Sequence, residues 1–291
     1  MKNQKSALLV LAFVLLPLNW VVATNAPKLT FTFNKVHLPP GQSYFPGGVN
    51  NAGEIVGFYV DNVPSTHCFT LKGTTFTIVD DPNGTNSVCD KINNKGAIVG
   101  SYQQSVTGIG MGFLYENGQF TDIAGPGGAT PAAAMGINDN GDVVGTYMDI
   151  NGIPHGFLLK GTTYVTLDVP GALFTIARGI NNHGIIVLDW FNGTAYESSR
   201  YDGQMYKTID VPGASKSLAK GISNTGDIVY EWYDPSGNVH GALRHLRKYY
   251  KFNFPKSGYT FGAGINDHQL IVGPYAKDGS SATRAYRATY K

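Results

Sequence analysis

Apolar and polar positions alternate in short runs along most of this chain, and no 3.6-residue period appears. Residues 134–171 show the pattern. Gly136-Ile137-Asn138 ends a first strand, and Asp139-Asn140-Gly141 forms a tight turn. Asn and Asp tolerate the left-handed geometry of such turns, and glycine adopts it freely. Asp142 to Tyr147 is a second strand rich in β-branched residues, followed by a polar loop from Met148 to Pro154. His155 to Lys160 is a third strand, Gly161-Thr162 turns the chain, and Tyr164 to Val169 is a fourth. Pro170 ends it, because proline cannot donate to a ladder.

This pattern is written six times. The phrase Gly48-Val49-Asn50-Asn51-Ala52-Gly53-Glu54-Ile55-Val56-Gly57 returns from Lys91, Gly136, Gly179, Gly221 and Gly264. Its anchors are Asn50, Asn93, Asn138, Asn181, Ser223 and Asn266, separated by 43, 45, 43, 42 and 43 residues. Nine residues after each anchor stands an aromatic: Tyr59, Tyr102, Tyr147, Trp190, Trp232 and Tyr275. A proline precedes each anchor by eleven residues, or by twelve at Pro126. Four short antiparallel strands in about 43 residues match one blade of a propeller. The expected fold is all-β, a six-bladed β-propeller forming one domain over residues 29–291. The sixth repeat stops inside its third strand, while Phe33 to Pro39 aligns with the fourth strand Tyr164 to Pro170. The N-terminal strand is therefore expected to complete the last blade and close the ring, which removes exposed sheet edges.

The first 23 residues have another grammar. Lys2 and Lys5 precede the unbroken apolar run Ala7 to Leu16, and Val21-Val22-Ala23 offers a small-residue cleavage site. That order predicts a secretory signal peptide cleaved near Ala23. The run is short of the ~20 residues of a membrane span, so a secreted, extracellular or periplasmic protein is expected, without a span in the mature chain. Cys68 and Cys89 would then meet an oxidising compartment that favours pairing. Spacing alone leaves two buried thiols open as the alternative.

Composition sharpens this. Charged residues make up 14% of the chain, and the formal net charge is +2. Without Lys2 and Lys5 there are 20 basic and 20 acidic residues. Such a balance gives no footprint for nucleic acid. The 37 glycines serve recurring turns.

The repeat, read as GIN-N-x-G-x-[IV]-V-G-x-Y … H-G-F-L … I-D-V-P-G-A, resembles that of the bacterial HAF-type extracellular repeat proteins. The name-giving tripeptide stands as His67-Cys68-Phe69, His155-Gly156-Phe157 and His240-Gly241-Ala242. It is Met111-Gly112-Phe113 in the second repeat and is lost in the fourth and sixth. The resemblance covers Leu29 to Lys291. It implies export and a repeated β architecture, and it implies no reaction.

Candidate chemistry is sparse. The anchor asparagines are expected to cap their own turns. The six aromatics at offset nine are candidates for a ligand face, with packing between sheets as the competing role. His67, His155 and His240 occupy equivalent positions, but blades a third of a turn apart cannot share one metal ion with ~2 Å bonds. Local hydrogen bonding is expected for them instead. No metal site and no cofactor fingerprint is read from the sequence, and no G-x-S-x-G, H-E-x-x-H or P-loop motif appears. The loops between second and third strands differ in every repeat and should gather on one face. An exported binding module for a glycan, a peptide or a surface protein is the leading expectation, as a monomer. A polysaccharide-active lyase or hydrolase is the alternative, with Asp61, Asp149, Asp189 and Asp234 as loop acids. A structural surface protein is the third reading.

Overall fold

The computed structural model describes residues 29–40, 42–61, 65–280 and 282–291. The expected leader and its cleavage site lie outside the described residues. Five four-stranded antiparallel blades and a sixth, whose innermost strand is split into Ser257–Thr260 and Gly264–Ile265, form a ring, a six-bladed β-propeller. Blade 3 illustrates the order: Ala132–Ile137 is innermost, followed outward by Val143–Met148, Pro154–Lys160 and Thr163–Leu167. Five of the six anchor turns place a glycine in the left-handed region, as at Gly141 (φ 83°), and the sixth uses Gln269 (φ 61°). These turns share one face of the ring, the turn face. The second-to-third-strand loops and the crossovers between blades share the other, the loop face.

The ring closes by strand exchange. Phe31–Lys35 pairs antiparallel with Arg284–Tyr290 and is the outer strand of blade 6. It begins two residues before the expected Phe33, because Phe31 and Phe33 both have aromatic partners. Phe31 lies 4.9 Å from Phe252, and Phe33 lies 5.8 Å from Phe254 and 5.6 Å from Tyr286. Beyond the strand, the Val36 N–H still donates to the Ala285 carbonyl at 3.0 Å. Cys68 and Cys89 are joined by a disulfide, with Cα atoms 5.1 Å apart, tying the third strand of blade 1 to the innermost strand of blade 2.

Size complementarity runs around the core. At one buried register position in each blade, the second and third strands pair residues of complementary size: Gly57 with Phe69, Gly100 with Phe113, and Gly145 with Phe157. The pairs continue as Leu188 with Ser199, Tyr230 with Ala242, and Gly273 with Tyr286. At Gly100, Gly145 and Gly273 the aromatic ring of the third strand lies against the glycine, on which the innermost strand's carbonyl also closes. Phe157 sits 2.8 Å from where a Cβ on Gly145 would be. Where the second strand carries Leu188 or Tyr230, the partner shrinks. The phenylalanine that ends the tripeptide at Phe69, Phe113 and Phe157 is therefore lost in blades 4 and 5, because its space is already filled from the neighbouring strand. Close packing tolerates only one large side chain per pair.

Candidate functional site

Two nested hydrogen-bond rings surround the axis at the turn face. Each anchor Asn caps its own turn: Asn138 Oδ1 accepts the N–H groups of Asn140 and Asp142 at 3.0 and 2.9 Å. Its Nδ2 then donates to the Asn181 carbonyl of the next blade at 3.2 Å. The same link runs from Asn50, Asn93, Asn181 and Asn266. Ser223, which has no amide, leaves the one gap. The second ring uses the residue after each anchor and has no gap. Asn51, Asn94, Asp139, Asn182, Asn224 and Asp267 each donate their backbone N–H to the side-chain oxygen of the next blade's residue, and Asp267 returns to Asn51. The two acids stand three blades apart. Asp139 Oδ2 accepts the amides of Asn94 and Asn182, and Asp267 Oδ2 accepts those of Asn224 and Asn51. Four amides thus find two carboxylates. A column of Asn or Asp in six of six repeats was the sequence signal for this ring.

Burial would raise the Asp139 carboxyl, but the hydrogen bonds from Asn182 and Asn94 outweigh it and hold the group below its usual range. A depressed carboxyl contributes stability above its unfolded pKa of about 3.9, and that contribution is lost as pH falls through the folded value. Asp139→Asn leaves two amides facing a single amide oxygen and should cost about 1–2 kcal/mol at pH 7. In thermal unfolding that is a Tm roughly 2–8 °C lower. The difference from wild type should narrow as pH falls below about 4 toward the lower folded value, where the native carboxylate protonates. A Tm gap unchanged at low pH would remove the carboxylate as its source.

Deeper in, the axial channel holds charge. Each innermost strand of blades 1–5 has a bulge three residues before its anchor, at Gly47, Asp90, Met135, Arg178 and Lys220. Arg178 Nε lies 2.8 Å from Asp189 Oδ2, and Lys220 Nζ lies 3.2 Å from Glu231 Oε2. Asp189 therefore corrects the reading of it as a loop acid. It lies inside the strand Ile186–Phe191, is 1% exposed, and also accepts the Ala219 N–H at 2.8 Å. Strand alternation turns it toward the innermost strand of blade 5, on the opposite face from its neighbour Trp190. Burial raises its carboxyl against the pull of Arg178 and Lys220. Burial also pushes the Lys91 ammonium down to about 8, and its Nζ donates to the Gly47 carbonyl at 2.9 Å.

At the loop face, the offset-nine aromatics are placed as follows. Tyr59, Tyr102, Trp232 and Tyr275 are buried, while Tyr147 and Trp190 are half-buried. Tyr102 donates to Asp122 Oδ1 at 2.9 Å, Trp190 to Ser199 Oγ at 3.1 Å, and Trp232 to the Gly241 carbonyl at 3.0 Å. Tyr275 stacks on Phe254 at 3.8 Å. Tyr59, Tyr147 and Trp232 each stack on the histidine of their own blade, at 5.0, 5.4 and 4.7 Å.

Those histidines are clamped locally. His67 Nδ1 lies 2.6 Å from Asp80 Oδ2, and its Nε2 lies 3.4 Å from Asp61. His155 sits between Asp168 and Asp149, and His240 between Asn253 and Asp234. The Asp80 hydrogen bond raises the His67 pKa above its ordinary value, against the opposing pull of burial. Asp61, Asp149 and Asp234 each also cap their own loop: Asp149 Oδ1 accepts the N–H groups of Asn151 and Ile153, both at 2.8 Å. The same role falls to Asp61 at Ser65 and to Asp234 at Ser236 and Asn238. The loop acids are thus spread over blades 1, 3 and 5 as hairpin caps.

A cavity of about 640 Å³ opens on the loop face between blades 2 and 3. Its position follows from side-chain size. In blade 1 the innermost and second strands pair Phe45 with Phe58, stacked at 4.9 Å. The equivalent pairs are Val88–Ser101 in blade 2 and Ala133–Thr146 in blade 3. These small residues leave the space, and Tyr102 and Tyr147 border it. Among the described residues, no charged side chain lines it. A second cavity of about 590 Å³ lies at the closure seam between blades 6 and 1, with Asp61, Tyr275 and Arg284 in its wall.

No family model matches the chain, and no curated protein matches it. Among solved structures it is similar to a protein assigned as TolB from Agrobacterium tumefaciens, with TM-score 0.61 and 12% identity over 91% of this chain and 98% of that one. It is also similar to the SapL1 lectin in complex with α-methyl fucoside, with TM-score 0.53 and 10% identity over 87% and 94%. The β-propeller domain of the Trilobed protease from Pyrococcus furiosus gives TM-score 0.52 and 10% identity over 86% and 97%. At these identities the likeness establishes the propeller fold. No helix among the described residues is long and apolar enough to cross a membrane.

Proposed function

We propose that this chain is an exported, non-enzymatic binding module that holds its ligand in the loop-face cavity between blades 2 and 3. The observation that carries the reading is that cavity, made where Val88–Ser101 and Ala133–Thr146 replace a bulky aromatic pair. Its volume of about 640 Å³ falls within the range of small-ligand sites. The fold likeness to a lectin holding a fucoside is compatible with a sugar ligand. The loop acids weigh against a hydrolase or lyase, because each already holds a hairpin and a histidine. Export rests on the leader sequence and on the resemblance to HAF-type extracellular repeat proteins.

The test fills the cavity with a pair the fold already uses. Ala133→Phe with Thr146→Phe copies the Phe45–Phe58 stack of blade 1 into blade 3. Wild type and variant are screened on glycan and peptide arrays. A ligand held by wild type should lose affinity by about tenfold or more in the variant, equivalent to 1.4 kcal/mol or above. The Tm should stay within a few degrees. A ligand retained equally by both proteins would place binding elsewhere and sink the proposal.

A further inference from the structure

The loop face is less symmetric than the ring beneath it, and the asymmetry centres on the same cavity. Val106 and Ile109 stand exposed in the loop of blade 2, and Met148, Ile150 and Ile153 around the loop of blade 3. Leu173 adds to them from the crossover into blade 4. Val106 is 97% exposed and Ile150 fully so. The equivalent loops of blades 5 and 6, residues 234–238 and 277–280, carry no large apolar side chain. Turn chemistry requires none of these apolar residues, since Asp149 alone caps its loop. Exposed apolar side chains gathered in neighbouring loops beside an apolar cavity are the kind of surface that marks an interaction site.

Around the cavity the fixed charges are acidic, three of the four being held by His67 or His155. Asp80, Asp122, Asp149 and Asp168 lie at or near the loop-face ends of blades 1 to 3. Only Lys91, Lys95 and Lys160 carry positive charge between residues 73 and 177. Lys91 lines the axial channel, while Lys95 and Lys160 sit at turn-face hairpins. No lysine or arginine of these blades therefore offsets the acids around the uncharged cavity.

Building on the cavity reading above, we infer that this face docks a protein segment that carries an apolar side chain between basic residues. The apolar side chain enters the cavity between blades 2 and 3, where a buried anchor contributes most of the affinity. Met148 in the cavity wall, with Ile150 and Ile153 of the same loop, extends the apolar contact around it. The aspartates meet lysine or arginine on the partner, which sets register and association rate more than affinity.

The probes are synthetic peptides with one central Leu, Phe or Tyr, flanked either by Lys and Arg or by Asp and Glu, beside neutral oligosaccharides. Binding is read by fluorescence polarisation at low and high salt. Basic-flanked peptides should bind about tenfold tighter than acidic-flanked ones, and more weakly at high salt. Their binding should be lost in Ala133→Phe/Thr146→Phe and reduced in Ile150→Asp, a fully exposed position that leaves folding untouched. Equal or tighter binding of the acidic-flanked set overturns the inference. Oligosaccharide binding that the cavity-filling pair abolishes, without peptide binding, overturns it while the cavity reading stands. If no probe responds to the cavity-filling pair, both fall.

Discussion

A chain that begins at Val36 should fail to fold as a closed ring. Removing Phe31–Lys35 leaves the strand Arg284–Tyr290 as an open edge, a template for pairing with other chains. It also strips Leu29, Phe31 and Phe33 from the core formed with Phe252, Phe254 and Tyr286. Three half-buried apolar side chains at roughly 1–2 kcal/mol each come to about 3–6 kcal/mol. That is a large part of the 5–15 kcal/mol that typically holds a domain together. The truncated protein should aggregate or unfold without a cooperative transition. A synthetic peptide covering residues 29–40 should restore the transition by adding the missing strand in trans. A truncated chain that melts cooperatively at the wild-type Tm would show that closure does not depend on this strand.

The second large effect concerns the glycine–aromatic pairs. Gly145→Leu should cost about 3 kcal/mol, because the added side chain meets both the Phe157 ring and the Ala133 carbonyl. Phe157→Ser alone should cost about 3–5 kcal/mol through the cavity it leaves. The double variant copies the Leu188–Ser199 pair of blade 4. It should be more stable than the additive expectation by about 2 kcal/mol or more, within the range seen for residues in contact. Denaturant unfolding of the four proteins in the cycle measures this directly. Additive losses would mean that the two positions do not exchange volume, and the account of the missing phenylalanines in blades 4 and 5 would fail.

Much of the architecture was legible in the sequence. The six anchors, the turn after each, the four strands per repeat and the strand exchange all depend on local period or on alignment of one repeat with another. The same reasoning placed the histidines in local hydrogen bonds and the anchor asparagines in their own turns. It misplaced Asp189, because a polar residue beside a strand end reads like the start of a loop. Only its neighbours, Arg178 on the adjacent strand and Ala219 on the next blade, reveal a buried ion pair. The second hydrogen-bond ring was missed although its signal was present, since the residue after each anchor is Asn or Asp in every repeat. Read one turn at a time, that residue is ordinary turn chemistry. Its second role needs the partner 42–45 residues away.

By itself, the sequence determined a ring: the repeat sets the blades, the turns set their spacing, and the unmatched first and last strands set the closure. Tertiary structure alone decided where the ring is uneven. The cavity arises from volume missing at Val88, Ser101, Ala133 and Thr146, four residues that are unremarkable within their own strands. Space inside a protein is a difference between what neighbouring elements supply and what close packing demands. That difference exists only once the blades stand side by side.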